Sequence, residues 1–222
     1  MSAHLDGIRG ITGLYGITPE WDDTDRLLQA LALAVRGGMQ ALQLRRKLAT
    51  PGQRLEQARR LRQACAEHGI GFIVNDDWRL ALDVGADGVH LGRDDADVQT
   101  VQRLAQQGLQ VGVSCYGELD RVRMALDAGA SSVGLGAVYP SPTKPQAPVV
   151  PLETIRQARR LCETARQAGL RATVVAIGGI TPHNAAPVAA AGADALALIS
   201  GLFEARDVEA AARAVVNAMA PR

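Results

Sequence analysis

The sequence predicts a single α/β domain that closes into an eight-stranded (β/α)8 barrel, the TIM barrel class. The first observation is a segment that recurs four times, in which a helix end, a glycine and a short apolar run follow one another. The glycine suits the left-handed residue that closes a helix, and the apolar run has the length of a buried strand. The four copies are RGGMQALQLR (36–45), DVGADGVHLG (83–92), DAGASSVGLG (127–136) and AAGADALALI (190–199).

The spacing of these copies is the second observation. Gly38, Gly85 and Gly129 are 47 and 44 residues apart, about twice the length of one βα unit, so another strand is expected between each pair. Two further apolar runs, GIGFIVN (69–75) and GLQVGVS (108–114), fill these gaps. GLYGIT (13–18) precedes the first copy, and ATVVAIGG (172–179) precedes the last. The strands therefore number eight.

Helical patterns separate the strands and are the third observation. In one of them Leu152, Ile155 and Ala158 follow at three-residue spacing, which places them on one face. The patterns cover 24–36, 52–67, 77–84, 96–107, 118–128, 151–168, 182–191 and 204–219. Eight alternating pairs favour a closed barrel over an open doubly wound sheet. One domain is expected over residues 1–222, with 1–12 as a flexible or capping segment.

Composition excludes several classes of function. Lys and Arg number 24 against 23 Asp and Glu, so no global charge attracts nucleic acid or an anionic membrane. The three cysteines are far apart, which fits neither a disulfide framework nor a metal knuckle. No signal peptide or long apolar span is evident. We expect a cytoplasmic protein that acts on small molecules, and the sequence leaves a homodimer open.

Cations and an amide follow the second strand, where barrel enzymes carry their chemistry. In QLRRK, alternation places Gln43, Arg45 and Lys47 on the side of the barrel mouth, and Leu44 and Arg46 on the other side. A solvated or salt-bridged role for Arg45 and Lys47 remains the alternative.

Carboxylates follow the third and fourth strands. VNDD supplies Asn75, Asp76 and Asp77, and HLGRDD supplies Asp94 and Asp95. Carboxylates on adjacent strands beside cations suit Mg²⁺ bound to a polyphosphate. Helix capping is the alternative for Asp76 and Asp95, and a purely structural role is favoured for Asp77 and Asp94.

His90 and the last two strands add further polar groups. His90 alternates with apolar residues, so it should point into the barrel, either as a core histidine or as a substrate contact. Gly178 and Gly179 permit close backbone approach, and Ser200 precedes the last helix, so backbone amides there could cradle a monophosphate. The mouth would then hold two phosphorylated substrates, one of them a diphosphate.

A proline-rich loop follows the sixth strand. Residues 138–151 hold five of the ten prolines and one lysine, Lys144. Proline excludes helix and central strand but also limits the freedom of the unfolded loop, so an ordered flap over the mouth is expected. A plain surface lysine is the alternative.

The motifs QLRRK, VNDD, GADGVHLGRDD, GVS, GLGAVYPSPTK, AIGGIT and LISG resemble, in this order, those of the thiamine-phosphate synthase (thiamine-phosphate pyrophosphorylase) family. The resemblance implies that hydroxymethylpyrimidine diphosphate is joined to a thiazole phosphate, or its carboxylated form, to give thiamine monophosphate and pyrophosphate with Mg²⁺. It also implies a dissociative displacement, in which diphosphate leaves before the thiazole nitrogen attacks.

The resemblance further implies a role for each matching residue. The pyrimidine diphosphate would be held by Gln43, Arg45, Lys47, Asn75, Ser114 and Lys144. Of these, Arg45, Lys47, Ser114 and Lys144 would be catalytic. His90, placed by its alternation and not by the resemblance, is counted as a further substrate contact. Asp76 and Asp95 would bind the metal. The thiazole phosphate would be held by Thr143, Gly179, Ile199 and Ser200. Tyr15, expected at the end of the first strand, would line the pyrimidine pocket.

Three positions depart from the family pattern: Tyr116 stands for a histidine, Arg93 for a glutamine and Ser141 for a threonine. Thiazole tautomerases share the barrel but use a histidine at the place of Tyr116, which argues against them. A sugar-phosphate epimerase would need a His/Asp metal set that the four histidines do not supply. A non-catalytic sensor of a phosphorylated ligand remains an alternative.

Overall fold

Eight parallel strands close into one barrel, in which each strand pairs with the next along the chain and β8 pairs with β1. The structure is a computed structural model that describes residues 11–95, 97–140 and 148–220. The strands are β1 (Gly13–Ile17), β2 (Met39–Leu44), β3 (Gly71–Asn75), β4 (Gly88–Leu91), β5 (Gln110–Tyr116), β6 (Ser132–Leu135), β7 (Thr173–Ile177) and β8 (Ala195–Leu198). The predicted (β/α)8 barrel is confirmed, and the open sheet is wrong.

Helices follow every strand, close to the predicted ranges. They are α1 (Thr24–Arg36), α2 (Pro51–His68), α3 (Trp78–Asp83), α4 (Val98–Gln106), α5 (Leu119–Asp127), α6 (Leu152–Gln167), α7 (Ala185–Ala190), α8 (Ser200–Phe203) and α9 (Val208–Met219). The short α8 was not anticipated. It begins at Ser200, after the single residue Ile199 that follows β8, and separates that strand from the last long helix. None of the helices in the described part of the chain has the length and hydrophobicity of a membrane span.

Strand side chains alternate between two packed layers. Leu14, Leu42 and Phe72 face outward and join the cluster that the surrounding helices bury. A separate inner cluster fills the barrel with Ile11, Tyr15, Ile17, Ala41, Ile73, Val175, Ala195 and Ala197. The interior is therefore a packed core, and the chemistry has to lie above it, at the carboxyl ends of the strands.

The recurring glycine segment has a structural explanation. Gly85 and Gly192 close their helices with φ of 64° and 101°, a backbone region that glycine occupies without a side-chain clash. Two residues later, Asp87 accepts the N–H of Phe72 at 2.7 Å, and Asp194 accepts the N–H of Val174 at 2.8 Å. Each aspartate thus ties the start of one strand to the strand before it.

Asp194 should be a stability residue, because its carboxylate, which is only 12% exposed, also pairs with Arg159 and Arg166. Asp194→Ala is expected to lower the free energy of unfolding by about 2–3 kcal/mol, since charged hydrogen bonds are lost and their donors remain. Denaturant unfolding measures this effect. Asp127→Ala, at an exposed position, is the control. Equal losses in the two variants would contradict the assigned role.

Candidate active site

A cavity of about 850 Å³ opens at the carboxyl ends of the strands. It brings together residues from strands that are distant in the sequence, because the ends of parallel strands meet at one rim of the barrel. The predicted site residues that line it are Tyr15, Gln43, Arg45, Lys47, Asn75, Asp76, His90, Asp95, Ser114 and Ile199.

Among the described residues, two predicted site residues, Gly179 and Ser200, do not line the cavity. Gly179 and Ser200 each lie one residue beyond a lining residue, Gly178 and Ile199 respectively. Thr143 and Lys144 lie outside the described residues, so the predicted position of the lysine over the mouth stays a prediction.

Tyr15 and Gln43 form the polar floor of the cavity. Gln43 Nε2 donates to the Tyr15 hydroxyl at 2.7 Å, and both side chains are buried. Tyr15 lies in the middle of β1 and not at its end, so it sits deeper than expected. Burial raises the pKa of the Tyr15 phenol well above its usual value, against the opposing effect of the Gln43 hydrogen bond. The phenol therefore stays protonated and can donate to a ligand.

The predicted alternation after β2 is confirmed. Arg45 and Lys47 line the cavity, whereas the Arg46 side chain is only 2% exposed and pairs with Glu20 and Asp22. Arg45 Nη1 lies 3.4 Å from Glu20 Oε1, and Lys47 Nζ lies 3.0 Å from Asp76 Oδ2. The two cations at the mouth are thus salt-bridged while they face the cavity, and their contact with a substrate stays a prediction.

Two neighbouring aspartates, and not the predicted metal ligands, cap the helices that follow β3 and β4. Asp77 caps α3 by accepting the N–H of Leu80 at 3.0 Å, and Asp97 caps α4. Asp76 adopts a φ of 62°, which is uncommon for a residue with a side chain. Asp95 accepts the N–H of Gly92 at 2.7 Å. The capping alternative is therefore wrong for Asp76 and Asp95.

The Asp76 and Asp95 carboxylates lie side by side. Burial, followed by the neighbouring Asp76 carboxylate, raises the pKa of Asp95, while the Gly92 N–H and Lys47 oppose that rise. Two adjoining carboxylates of this kind fit a hard cation. Among the described residues, no group of three His, Cys, Asp or Glu side chains could hold a metal by itself. The pair therefore fits Mg²⁺ whose remaining ligands are phosphate oxygens and water.

His90 points into the barrel, as its alternation predicts. Its Nε2 lies 2.9 Å from Ser114 Oγ. Gly112 and Gly134 make room for the ring, since a Cβ at either position would lie 2.7 Å or 3.1 Å from a ring atom of His90. The imidazole thus contacts the predicted diphosphate serine, Ser114, and a direct contact between His90 and a substrate stays a prediction.

A family model described as thiamine monophosphate synthase matches residues 14–202. The chain belongs to the thiamine monophosphate synthase family. Thiamine-phosphate synthase of Bordetella pertussis is 58% identical over 214 residues, covering 95% of this chain and 96% of that protein. The Chromobacterium violaceum thiamine-phosphate synthase is 48% identical, covering 93% and 96%. Among solved structures, the thiamine phosphate pyrophosphorylase from Pyrococcus furiosus matches with a TM-score of 0.79 and 33% identity, covering 94% and 95%.

Membership of this family confirms the predictions of family and enzyme class: the chain is a transferase of thiamine biosynthesis. The barrel of the Pyrococcus furiosus protein likewise agrees with the fold found here. The residue roles implied by the resemblance are a separate matter and remain predictions.

Two departures from the family pattern meet at the cavity rim. The Arg93 guanidinium lies 4.9 Å from the centroid of the Tyr116 ring and forms an ion pair with Glu118. Tyr116 has a φ of 57°, so its side chain leaves β5 in an unusual direction. The third departure, Ser141, lies outside the described residues. The two departures, Tyr116 and Arg93, are therefore in direct contact.

Sequence reasoning missed two residues that hold the site together. Glu20, three residues after β1, contacts the segment after β2. Arg121, on α5, donates to the carbonyl of Ser114 at 2.6 Å and of Gly92 at 3.5 Å. The position of Glu20 just past a strand end was a usable signal. Arg121 lies within a helix, and nothing in its local pattern distinguishes it from a surface arginine.

Proposed function

We propose that this chain is a thiamine-phosphate synthase whose barrel mouth has two halves, one for each phosphorylated substrate. The observation that carries this proposal is the convergence of Arg45 and Lys47 with the Asp76 and Asp95 carboxylates in a single cavity. Cations and a carboxylate pair together suit a metal-bound diphosphate better than a lone phosphate.

The diphosphate half lies above β2 to β5. Arg45 offers a planar fork of donors for phosphate oxygens, Lys47 a compact charge, and Ser114 a hydroxyl. Asp76 and Asp95 would hold Mg²⁺, which when bound supplies positive charge to the leaving diphosphate. Lys47 now pairs with Asp76 at 3.0 Å, so it is already directed at this half of the mouth.

The pyrimidine ring would rest on the floor formed by Tyr15 and Gln43. Both groups are buried at the base of the cavity, and they offer hydrogen bonds to the ring nitrogens and the amino group of the pyrimidine. Asn75 and His90 stand at the carboxyl ends of β3 and β4 and flank this floor.

The thiazole phosphate would bind above β7 and β8, near Gly179, Ile199 and Ser200, with Thr143 from the proline loop. Gly179 has a φ of 62° and packs closely on the loop, since a Cβ there would lie 2.5 Å from the Pro140 carbonyl oxygen. A substitution at Gly179 would therefore move residues 139–140 as well, and it cannot test phosphate binding alone.

In the proposed mechanism, the main task of the protein is to stabilise a departing anion, and a catalytic base is less important. Arg45, Lys47 and Ser114 hold the diphosphate as its bond to the pyrimidine methylene breaks. The thiazole nitrogen then attacks the resulting cation. Lys144, on the proline loop, is proposed to add a mobile charge over the leaving group while the loop excludes water.

Incubation with both substrates and Mg²⁺ tests the activity. Thiamine monophosphate and pyrophosphate should appear in equal amounts, and neither should form when one substrate or Mg²⁺ is omitted. Binding of the substrates without turnover would instead identify a sensor of phosphorylated ligands.

Two coarser predictions accompany this function. A cytoplasmic location is supported by the three cysteines, Cys65, Cys115 and Cys162, all of which are free and buried. A homodimer stays open, and size determination in solution would decide it.

A further inference from the structure

We propose that Glu20 is a positioning residue that holds Arg45 and Lys47 in the geometry that the diphosphate requires. This inference rests on the proposed role of those two cations. Glu20 lies on the loop between β1 and α1 and is 25% exposed at its side chain.

The Glu20 carboxylate accepts hydrogen bonds from the backbone of the segment after β2. Its Oε1 accepts the N–H of Lys47 at 2.8 Å, and its Oε2 accepts the N–H of Leu48 at 3.4 Å. Two consecutive N–H groups that converge on one carboxylate fix the path of the chain at Lys47.

The same carboxylate forms ion pairs with two guanidinium groups. Arg45 Nη1 lies 3.4 Å from Oε1, and Arg46 Nη1 lies 3.2 Å from Oε2. Arg46 is almost fully buried and also binds Asp22 at 2.5 Å, so it holds the Glu20 carboxylate on the side away from the cavity. Glu20 therefore connects a buried arginine, Arg46, to Arg45, which faces the cavity.

A second contact between the segment after β1 and the segment after β2 supports this positioning role. The Thr18 hydroxyl, which is buried, accepts the N–H of Arg45 at 2.9 Å and donates to its carbonyl at 3.3 Å. Residues 18–22 thus bind residues 45–48 through backbone and side chains together. The cations are ordered before any ligand arrives, which reduces the entropy lost on binding and keeps the donors in place during bond breaking.

Glu20→Gln is the decisive variant. The glutamine keeps the size of the side chain but can offer only one carbonyl oxygen, and its amide N–H groups would face other donors. We expect kcat to fall at least tenfold, because displacement of a catalytic group by about 1 Å can cost about a hundredfold. The KM for the thiazole phosphate should stay unchanged, and Glu20→Asp should show a smaller loss than Glu20→Gln.

Glu209→Gln is the matched control. Glu209 also binds two arginines, with Arg36 Nε at 2.8 Å and Arg213 Nη2 at 2.6 Å, and it is 29% exposed, but it lies on α9 and does not line the cavity. It should retain wild-type kcat and both KM values. Tm is recorded for every variant, to separate positioning from a general loss of stability.

Arg45→Ala, measured in parallel, separates the two proposals. A normal rate in Arg45→Ala would overturn the proposed diphosphate site itself. A slow Arg45→Ala beside a wild-type rate in Glu20→Gln would overturn only the role of Glu20. If Glu20→Gln and Glu20→Asp both fail to fold, Glu20 serves the fold and the positioning inference is wrong.

Discussion

Asp95→Asn should lower kcat by about a hundredfold while the protein remains folded, because it removes one of two carboxylates that would hold the metal beside the leaving group. The pKa of Asp95 is raised, mainly by burial and then by Asp76, so its ionised form is disfavoured in the folded state. An acid of this kind weakens folding as the pH rises from its unfolded toward its folded pKa. Stability at pH 7 should therefore stay the same or rise slightly in the variant.

A Mg²⁺ titration of the rate, together with calorimetry of pyrophosphate binding at fixed Mg²⁺, measures the effect of this change. Asp94→Asn is the control, because Asp94 is adjacent in sequence, exposed, and lines the same cavity. We expect Asp94→Asn to keep a wild-type Mg²⁺ response. A normal rate in Asp95→Asn across the titration would remove Asp95 from the metal site.

Arg45→Ala should lower kcat/KM for the pyrimidine diphosphate by about 10²–10³, the range typical for the loss of one donor to a developing anion. Its guanidinium faces the cavity and is held by Glu20 at 3.4 Å, so it is already placed for a phosphate oxygen. Arg45→Lys should restore only part of the rate, since an ammonium group cannot form the paired contacts of the guanidinium fork.

Steady-state kinetics with each substrate varied in turn measures this change. Arg60→Ala is the control, because Arg60 also pairs with one carboxylate, Asp25 at 2.5 Å, but lies on the outer face of α2. The KM for the thiazole phosphate should be unaffected in Arg45→Ala. Equal effects on both substrates would contradict the division of the mouth into two halves.

The barrel and one half of its mouth could be predicted from the sequence, because both depend on local periodicity. Alternation after β2 places Arg45 and Lys47 toward the cavity and Arg46 away from it, and the structure has this arrangement. Parallel strand ends meet at one rim, so residues that follow β3 and β4 had to approach those cations. The glycine segments likewise mark true helix ends, as at Gly85 and Gly192.

Local pattern could not assign the neighbouring aspartates. Asp76 and Asp77 both follow β3, and a φ of 62° at Asp76 turns the chain so that Asp77 caps the helix and Asp76 faces the cavity. Likewise, Asp97 and not Asp95 caps α4. The backbone angle at Asp76 decides which of the two side chains faces the cavity, and residue type alone does not specify that angle.

The sequence by itself determined the eight βα units, the side of β2 that carries the cations, and the set of polar residues at the strand ends. Only the tertiary structure decided that Glu20 binds residues 45–48, that Arg121 joins Ser114 to Gly92, and that Gly179 packs on the proline loop. The reason is physical. Periodicity acts over neighbouring residues, whereas these contacts join different segments of the chain, and their meeting depends on how the whole barrel closes.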